Sequence, residues 1–168
     1  NWSSRLSKLQ LKRNSKVDDY LHKASKMIVD ILLENKVGNV VIGKNEGWKQ
    51  EIGIGKRNNQ NFVLIPHARF IEMISYKCKN EGINVIITEE SYTSKIDHLS
   101  NEKLCKHETY SGKRLKRGLF KSSSGKILNA DINGAIGILR KIKAISDIQL
   151  LNLGYRGDVV SPIKLEIN

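Results

Sequence analysis

The stretch VIITEESYTSK, residues 85–95, decides the fold class of this chain. It opens with three β-branched residues and reaches two carboxylates, Glu89 and Glu90, within a few positions. A short apolar run without polar alternation is typical of a buried strand in a parallel sheet. Ligands of such sheets bind beyond the carboxyl ends of the strands. Since neighbouring strand residues face opposite sides, at most one of these two carboxylates points into a site there.

The residues around this stretch predict helices that alternate with strands. Residues 2–16 and the stretch from Asp18 to a stop signal at 35–38 have helical spacing, 39–42 form a second apolar run, and Pro66 suits the start of a further helix. This alternation indicates an α/β fold with parallel strands and flanking helices.

Four segments are expected along the chain. Residues 1–95 form the α/β core, and residues 96–128, rich in Lys, Arg and Gly, form a small hairpin-rich insertion. Residues 129–145 form a last helix that Asn129 caps. The tail, residues 146–168, has only a weak structural pattern.

The charge indicates a polyanionic partner. The 168 residues include 29 Lys and Arg against 17 Asp and Glu, a net charge of +12, and the basic residues cluster. Clustered cations neutralise backbone phosphates, and exposed aromatic rings stack on bases. The candidate nucleic-acid-binding residues are Arg5, Lys8, Lys12, Lys16, Lys44, Trp48, Lys49, Lys56, Arg57, Tyr92, Lys95, Lys113, Arg114, Lys116 and Arg117.

Other classes of protein are disfavoured. The sequence has no apolar run long enough for a bilayer span, and its two cysteines, Cys78 and Cys105, do not form a disulfide framework. Cys78 fits the apolar side of a helix. We expect a cytoplasmic, nucleoid-associated protein without a membrane partner or a small-molecule cofactor.

The stretch NADINGA, residues 129–135, supplies a third candidate carboxylate. Asp131 lies in the first turn of the last predicted helix, where a negative charge is favourable because of the helix dipole alone. Asp131 and the Glu89–Glu90 pair are therefore each weak signals when taken singly.

Taken together, these motifs resemble the C-terminal half of the TnpB (OrfB) family. The resemblance rests on YTSK at 92–95, GLFKSSSG at 118–125, NADINGA at 129–135 and LHKAS at 21–25, and it runs over roughly residues 5–142. It implies a transposon-encoded, RNA-guided DNA endonuclease with a RuvC-like, RNase H-type domain. It also implies Mg²⁺ (or Mn²⁺) held by three carboxylates, and guide RNA and target DNA as partners.

The zinc ribbon of that family is expected to be degenerate in this chain. The resemblance implies two Cys-x-x-Cys knuckles, but Asp97 and Ser100 stand at the first and Lys121 and Ser124 at the second. Neither Lys nor Ser replaces a thiolate as a zinc ligand. We therefore expect a metal-free remnant that is kept as a basic hairpin.

The catalytic carboxylates also depart from the family pattern. Gly43 stands where the family's second catalytic Glu ends a strand, and Glu90 is the best replacement from the adjacent strand, with Glu89 as the fallback. Strand ends in a sheet lie about 5 Å apart, so either strand can reach one metal ion. Glu90 and Asp131 are thus the expected Mg²⁺ ligands, and the family's first catalytic Asp is expected upstream of Asn1.

Three functions remain open at this point. The first is the C-terminal part of a TnpB-like endonuclease that hydrolyses phosphodiesters with two metal ions, although the present chain alone is expected to be inactive. The second is a nucleic-acid-binding remnant or repressor-like derivative without catalysis. The third is a general RNA-binding protein.

Overall fold

A computed structural model describes residues 3–44, 66–146, 149 and 165–167. Within them the helices are α1 (Ser4–Glu34), α2 (His67–Asn80) and α3 (Ala130–Lys141). The strands are β1 (Asn39–Gly43), β2 (Asn84–Thr88), β3 (Lys113–Lys116), β4 (Leu119–Lys121) and β5 (Ile127–Asn129). The α/β class predicted from the sequence is confirmed.

The chain divides into two compact units, and β1 and β2 run through both. The first unit contains residues 1–40, 49–85 and 165–168, and the second contains 41–48 and 86–164. The four segments expected from the sequence were defined by sequence motifs and not by spatial contacts. Their boundaries therefore stay a prediction.

Two helices pack together in the first unit. Leu21, Ala24 and Val29 of α1 are buried, as are Met73, Ile74 and Cys78 of α2. The Lys77 ammonium donates hydrogen bonds to the His22 carbonyl at 2.6 Å and to Ser25 Oγ at 2.7 Å. Burial of the Cys78 thiol matches its predicted place on the apolar side of a helix.

Helix α1 is one continuous element of 31 residues, which joins the two helical stretches seen in the sequence. Ser3 caps its start, and its side chain accepts a hydrogen bond from Leu6 N–H. Asn35 ends it, with its backbone N–H still bonded to Ile31. Its first turns are exposed, so helix propensity and capping rather than packing specify them.

Strands β1 and β2 pair in parallel. Asn84 N–H donates to the Gly38 carbonyl at 2.9 Å, and Lys44 N–H donates to the Thr88 carbonyl at 2.8 Å. The sequence predicted buried strands, but both are half-buried, and Ile87 is 53% exposed. In the described part of the chain this sheet has only two strands, so each has an open edge.

The second unit contains the predicted hairpin-rich segment. Strands β3, β4 and β5 form an antiparallel sheet in sequence order, with an irregularity in register between Arg114 and Lys116. Phe120, Leu128 and Ala130 are its buried cluster, against which Leu99 and Ile132 pack. Strand β5 leads directly into α3, so this small sheet fixes where α3 begins.

Candidate metal and nucleic-acid site

Glu90 lies against the end of the neighbouring strand, beside Gly43. A Cβ atom at Gly43 would lie 2.7 Å from Glu90 Oε2 and 3.0 Å from Glu90 Cβ. It would also lie 2.6 Å from Ile138 Cδ1 of α3. The half-buried Glu90 carboxylate therefore occupies the space in which a side chain at position 43 would begin. Glycine at this strand end leaves the room that Glu90 fills.

The neighbouring Glu89 does not share the surroundings of Glu90. Its carboxylate accepts a hydrogen bond from Ser91 Oγ and lies 3.7 Å from the Lys141 ammonium at the end of α3. The Ser91 hydrogen bond, followed by the positive charge of Lys141, lowers the pKa of Glu89. Its side chain is 67% exposed, whereas that of Lys141 is 20% exposed. Glu89 is thus engaged by groups other than those around Glu90.

Asp131 is exposed in the first turn of α3, where the sequence placed it. The predicted cap is confirmed, because Asn129 Oδ1 accepts from Asp131 N–H at 2.8 Å and from Ile132 N–H at 3.2 Å. Asp131 and Ile138 are seven positions apart, so they lie on one side of the helix, separated by about 10 Å along its axis.

The structure brings Gly43, Glu90 and Ile138 together at the strand ends, whereas Asp131 lies about two helical turns from Ile138 on the same side of α3. Carboxylate oxygens are the donors that Mg²⁺ prefers, so Glu90 and Asp131 fit that ion in chemical type. Among the residues that the structure describes, no cluster of three or more His, Cys, Asp or Glu side chains could hold a metal ion. The strand ends thus offer one candidate oxygen ligand, Glu90, and the start of α3 offers another, Asp131.

A buried network holds the loop that follows Glu90. Tyr92 has a φ of +67°, a left-handed conformation that is unfavourable for a residue with a side chain. Thr93 Oγ1 donates to the Glu90 carbonyl at 2.8 Å, and the Thr93 carbonyl lies 2.7 Å from His98 Nε2. The loop is therefore anchored immediately after the candidate ligand.

His98 and Arg140 connect this loop to α3. Neither residue was predicted from the sequence to belong to the site. Arg140 donates to His98 Nδ1 at 3.0 Å and to the Glu102 carbonyl at 3.0 Å, and it also bonds Asn101. The His98 ring is 1% exposed. Burial, with a smaller contribution from the charge of Arg140, lowers the pKa of His98 although the Thr93 carbonyl opposes this. Since both ring nitrogens are bonded, His98 serves structure rather than metal binding.

The positions of the expected zinc knuckles do not fit zinc. Asp97 is fully buried, and its carboxylate oxygens accept hydrogen bonds from Ser100, Ser122 and Ser123. Lys121 and Ser124 are exposed. Cys105 Sγ lies 3.5 Å from His107 Nε2, but that nitrogen is 2.7 Å from the Lys103 carbonyl. The side chains at these positions therefore do not form a zinc site.

The basic candidates are exposed wherever the structure describes them. In the first unit they lie along α1, and in the second they lie near the strand ends and on the β3–β4 hairpin. Lys113 pairs directly with Lys121, a cation that is not among the predicted nucleic-acid-binding residues. The exposed candidates are Arg5, Lys8, Lys12, Lys16, Lys44, Tyr92, Lys95, Lys113, Arg114, Lys116 and Arg117. Trp48, Lys49, Lys56 and Arg57 lie outside the described residues.

The β3–β4 hairpin forms although it places two positively charged residues, Lys113 and Lys121, opposite each other. Like charges directly opposite each other on two strands destabilise a sheet. A polyanion bound there would relieve this repulsion by neutralising both cations. The hairpin is thus a basic surface whose own folding does not require its charges.

Comparison with known proteins finds one family model and a solved structure that are similar to this chain. Residues 67–138 match the family model described as Cas12f1-like, TNB domain. The solved structure "Cryo-EM structure of the Cas12f1-sgRNA-target DNA complex" matches with a TM-score of 0.63 and 25% sequence identity over 80% of this chain. No curated protein matches the chain significantly.

Residues 67–138 of the chain are thus similar to a Cas12f1-like family, and the fold of the larger part of the chain is similar to that of a Cas12f1 protein. The chain spans 36% of the length of the Cas12f1 chain that it matches. Both matches support the resemblance to TnpB-like proteins that the four sequence motifs predicted. Within the part of the chain that the structure describes, no helix is long and apolar enough to cross a bilayer.

Proposed function

We propose that this chain is the RuvC-like part of a TnpB-like, RNA-guided DNA endonuclease of a transposable element. Glu90 and Asp131 would be two of its carboxylate ligands for Mg²⁺ or Mn²⁺. The observation that carries the assignment is the Glu90 carboxylate, which fills the space at Gly43 where the family's glutamate side chain would begin. The match of residues 67–138 to the Cas12f1-like family model and the structural likeness to a Cas12f1 protein support it.

Each group in the site has a distinct task in this proposal. Glu90 would present an oxygen ligand at the strand ends, and Asp131 would present another from the start of α3. Bound divalent ions would activate the attacking water and stabilise the leaving oxygen of the phosphodiester. Lys141 and Ser91 would keep Glu89 turned to other partners, which leaves Glu90 as the ligand.

The basic residues would hold the nucleic acids. The structural neighbour is a complex with sgRNA and target DNA, and guide RNA and target DNA are the partners proposed for this chain. The exposed cations of α1 and of the β3–β4 hairpin would contact backbone phosphates, which gives affinity without sequence reading.

Cleavage by the full-length protein, loaded with its guide RNA, tests the site. Glu90→Ala and Asp131→Ala should each abolish Mg²⁺-dependent cleavage while binding of RNA and DNA persists. Glu89→Gln is the matched control, because it removes the adjacent charge and should retain most of the activity. Cleavage by Glu90→Ala at the wild-type rate would remove the assignment, and loss of activity only in Glu89→Gln would transfer the role to Glu89.

A second function, binding of nucleic acid without cleavage, is favoured by the basic hairpin. Its facing lysines, Lys113 and Lys121, suit a polyanion whether or not the protein cuts it. The full-length wild type would then bind its RNA and DNA target without cleaving in Mg²⁺ or Mn²⁺. Equal affinity for unrelated RNAs would instead indicate a general RNA-binding protein.

A further inference from the structure

A single buried carboxylate lies between the two turns that correspond to the expected zinc knuckles. Asp97 begins the first turn, and Ser122 and Ser123 belong to the second, 25 and 26 positions later. Asp97 Oδ2 accepts from Ser123 N–H at 2.7 Å and from the hydroxyls of Ser122 and Ser123, both at 2.9 Å. Asp97 Oδ1 accepts from Ser100 N–H at 3.3 Å. We refer to these four residues as the Asp97 node.

Hydrogen bonds within the Asp97 node offset the energetic cost of burying the Asp97 charge. Asp97 is 0% exposed and Ser122 is 2% exposed. Burial raises the pKa of Asp97, but the hydrogen bonds from Ser123, Ser122 and Ser100 together bring it below its ordinary value. A buried carboxylate that accepts several hydrogen bonds remains ionised, and those charge-assisted bonds are stronger than neutral ones.

A second carboxylate extends the connection to the start of the hairpin. Glu102 Oε2 accepts from Asp97 N–H at 2.7 Å. Its other oxygen, Oε1, accepts from Ser111 N–H at 2.7 Å and from Ser111 Oγ at 2.9 Å. Asp97 and Glu102 therefore join the loop after Glu90, the entry to β3 and the turn between β4 and β5.

We propose that the Asp97 carboxylate takes over the cross-linking task that zinc performs in the family's ribbon. Zinc joins two knuckles through four ligands on one ion. The Asp97 node joins the corresponding turns through donors on one anion. This part of the protein therefore keeps its tertiary structure without metal. The proposal is independent of the nuclease function, because it concerns only how the segment is held together.

Metal content and thermal unfolding of the 168-residue chain test the proposal. Mass spectrometry of the purified wild type should find no stoichiometric zinc, and EDTA should leave its Tm unchanged. Asp97→Asn keeps the size of the side chain but replaces an acceptor with a donor that faces the serine groups. Its Tm should fall by roughly 10 °C, since a buried network is broken.

Glu108→Gln is the matched control, because it removes an exposed carboxylate from the same segment and should leave the Tm unchanged. One zinc per wild-type chain, or a fall of the wild-type Tm in EDTA, would overturn the proposal. A Tm of Asp97→Asn equal to that of the wild type would overturn it as well.

A cysteine variant keeps the test informative if Asp97→Asn does not fold. Asp97, Ser100, Lys121 and Ser124 are replaced together by Cys to restore the family's ligand pattern. This variant should bind one zinc per chain and should unfold at lower temperature in EDTA than in zinc. Failure to bind zinc would show that the two turns are not arranged as knuckles and would contradict the proposal.

Discussion

A single residue, Gly43, leaves the space at the strand ends that one of the two carboxylates occupies. Its missing side chain leaves room for Glu90 Oε2 and Ile138 Cδ1. Glu89, one position earlier than Glu90, bonds Ser91 and approaches Lys141 instead. The sequence left the choice between Glu89 and Glu90 open, and the packing at Gly43 favours Glu90.

Gly43→Ala should therefore destabilise the protein and displace the Glu90 side chain. The new methyl group would lie 2.6 Å from Ile138 Cδ1 and 3.0 Å from Glu90 Cβ, so these groups must move, at a cost of about 1–2 kcal/mol. Chemical denaturation measures the loss. Gly38→Ala is the control, because nothing lies within 4 Å of the added carbon. Equal stability of the two variants would contradict the crowding at Gly43.

His98 makes stability depend on pH. Its pKa is lowered below the ordinary value of 6.5 by burial, with Arg140 adding to the effect and the Thr93 carbonyl, Asp97 and Glu102 opposing it. As the pH falls below about 6.5, the unfolded chain takes up a proton before the folded protein does. The free energy of unfolding should therefore decrease from about pH 7.5 to about pH 5.

His98→Gln tests this by removing the titrating group while keeping a polar side chain. The wild-type free energy of unfolding, measured by urea titration, should fall more steeply with decreasing pH than that of the variant. Parallel pH profiles would show that other groups cause the dependence. Asp97, whose pKa is also lowered, contributes in a separate window below about pH 4.

Among the structural elements, the last helix, α3, contains two glycines whose surroundings differ. Gly134 and Gly137 lie three positions apart in α3. Nothing lies within 4 Å of a Cβ built at Gly134. At Gly137 such a Cβ would lie 2.7 Å from Thr93 Cβ and would overlap the His98 ring. Gly137 thus allows close packing of α3 on the loop after Glu90, whereas Gly134 has no packing task among the described residues.

The two glycines should respond oppositely to substitution by alanine. Gly134→Ala should stabilise the protein by about 0.5–1 kcal/mol, because alanine favours the helix. Gly137→Ala should destabilise it by about 1–3 kcal/mol, because the buried Thr93 and His98 must move. Thermal or chemical unfolding of both variants checks the signs. A stabilising Gly137→Ala would contradict the close contact of α3 with this loop.

For the molecule as a whole, the main electrostatic feature is its net charge of +12. Exposed cations occur in both units, and the hairpin even sets Lys113 opposite Lys121. Such a charge distribution gives affinity for polyanions that falls with salt, because phosphate contacts release counterions. It does not by itself distinguish RNA from DNA.

Lys121→Glu should weaken binding while it stabilises the hairpin. A Lys–Glu pair would replace two facing lysines, a gain of about a few tenths of a kcal/mol. Fluorescence anisotropy with single-stranded RNA should show lower affinity and a salt slope reduced by about 1 in log–log units. Lys79→Glu on α2 changes the charge equally and is the control. Equal effects of the two variants would mean that only net charge matters.

The amino-acid sequence was enough to predict the α/β class, the resemblance to TnpB-like proteins and the cap of the last helix. These features depend on local signals such as apolar runs, turn residues and Asn129, or on motifs in a fixed order. It also identified the candidate carboxylates, because their residue types and places at strand and helix ends are local properties.

The contacts of each of these groups depend on the tertiary structure. The fit of Glu90 to Gly43, the His98–Arg140 hydrogen bond and the bonds from Ser122 and Ser123 to Asp97 join residues that are 25 to 47 positions apart in the sequence. No spacing rule predicts such partners, because they depend on how packed elements exclude or admit single atoms. The sequence indicated that the zinc ligands had been lost, whereas the packing showed that a buried carboxylate joins the turns which they would have held.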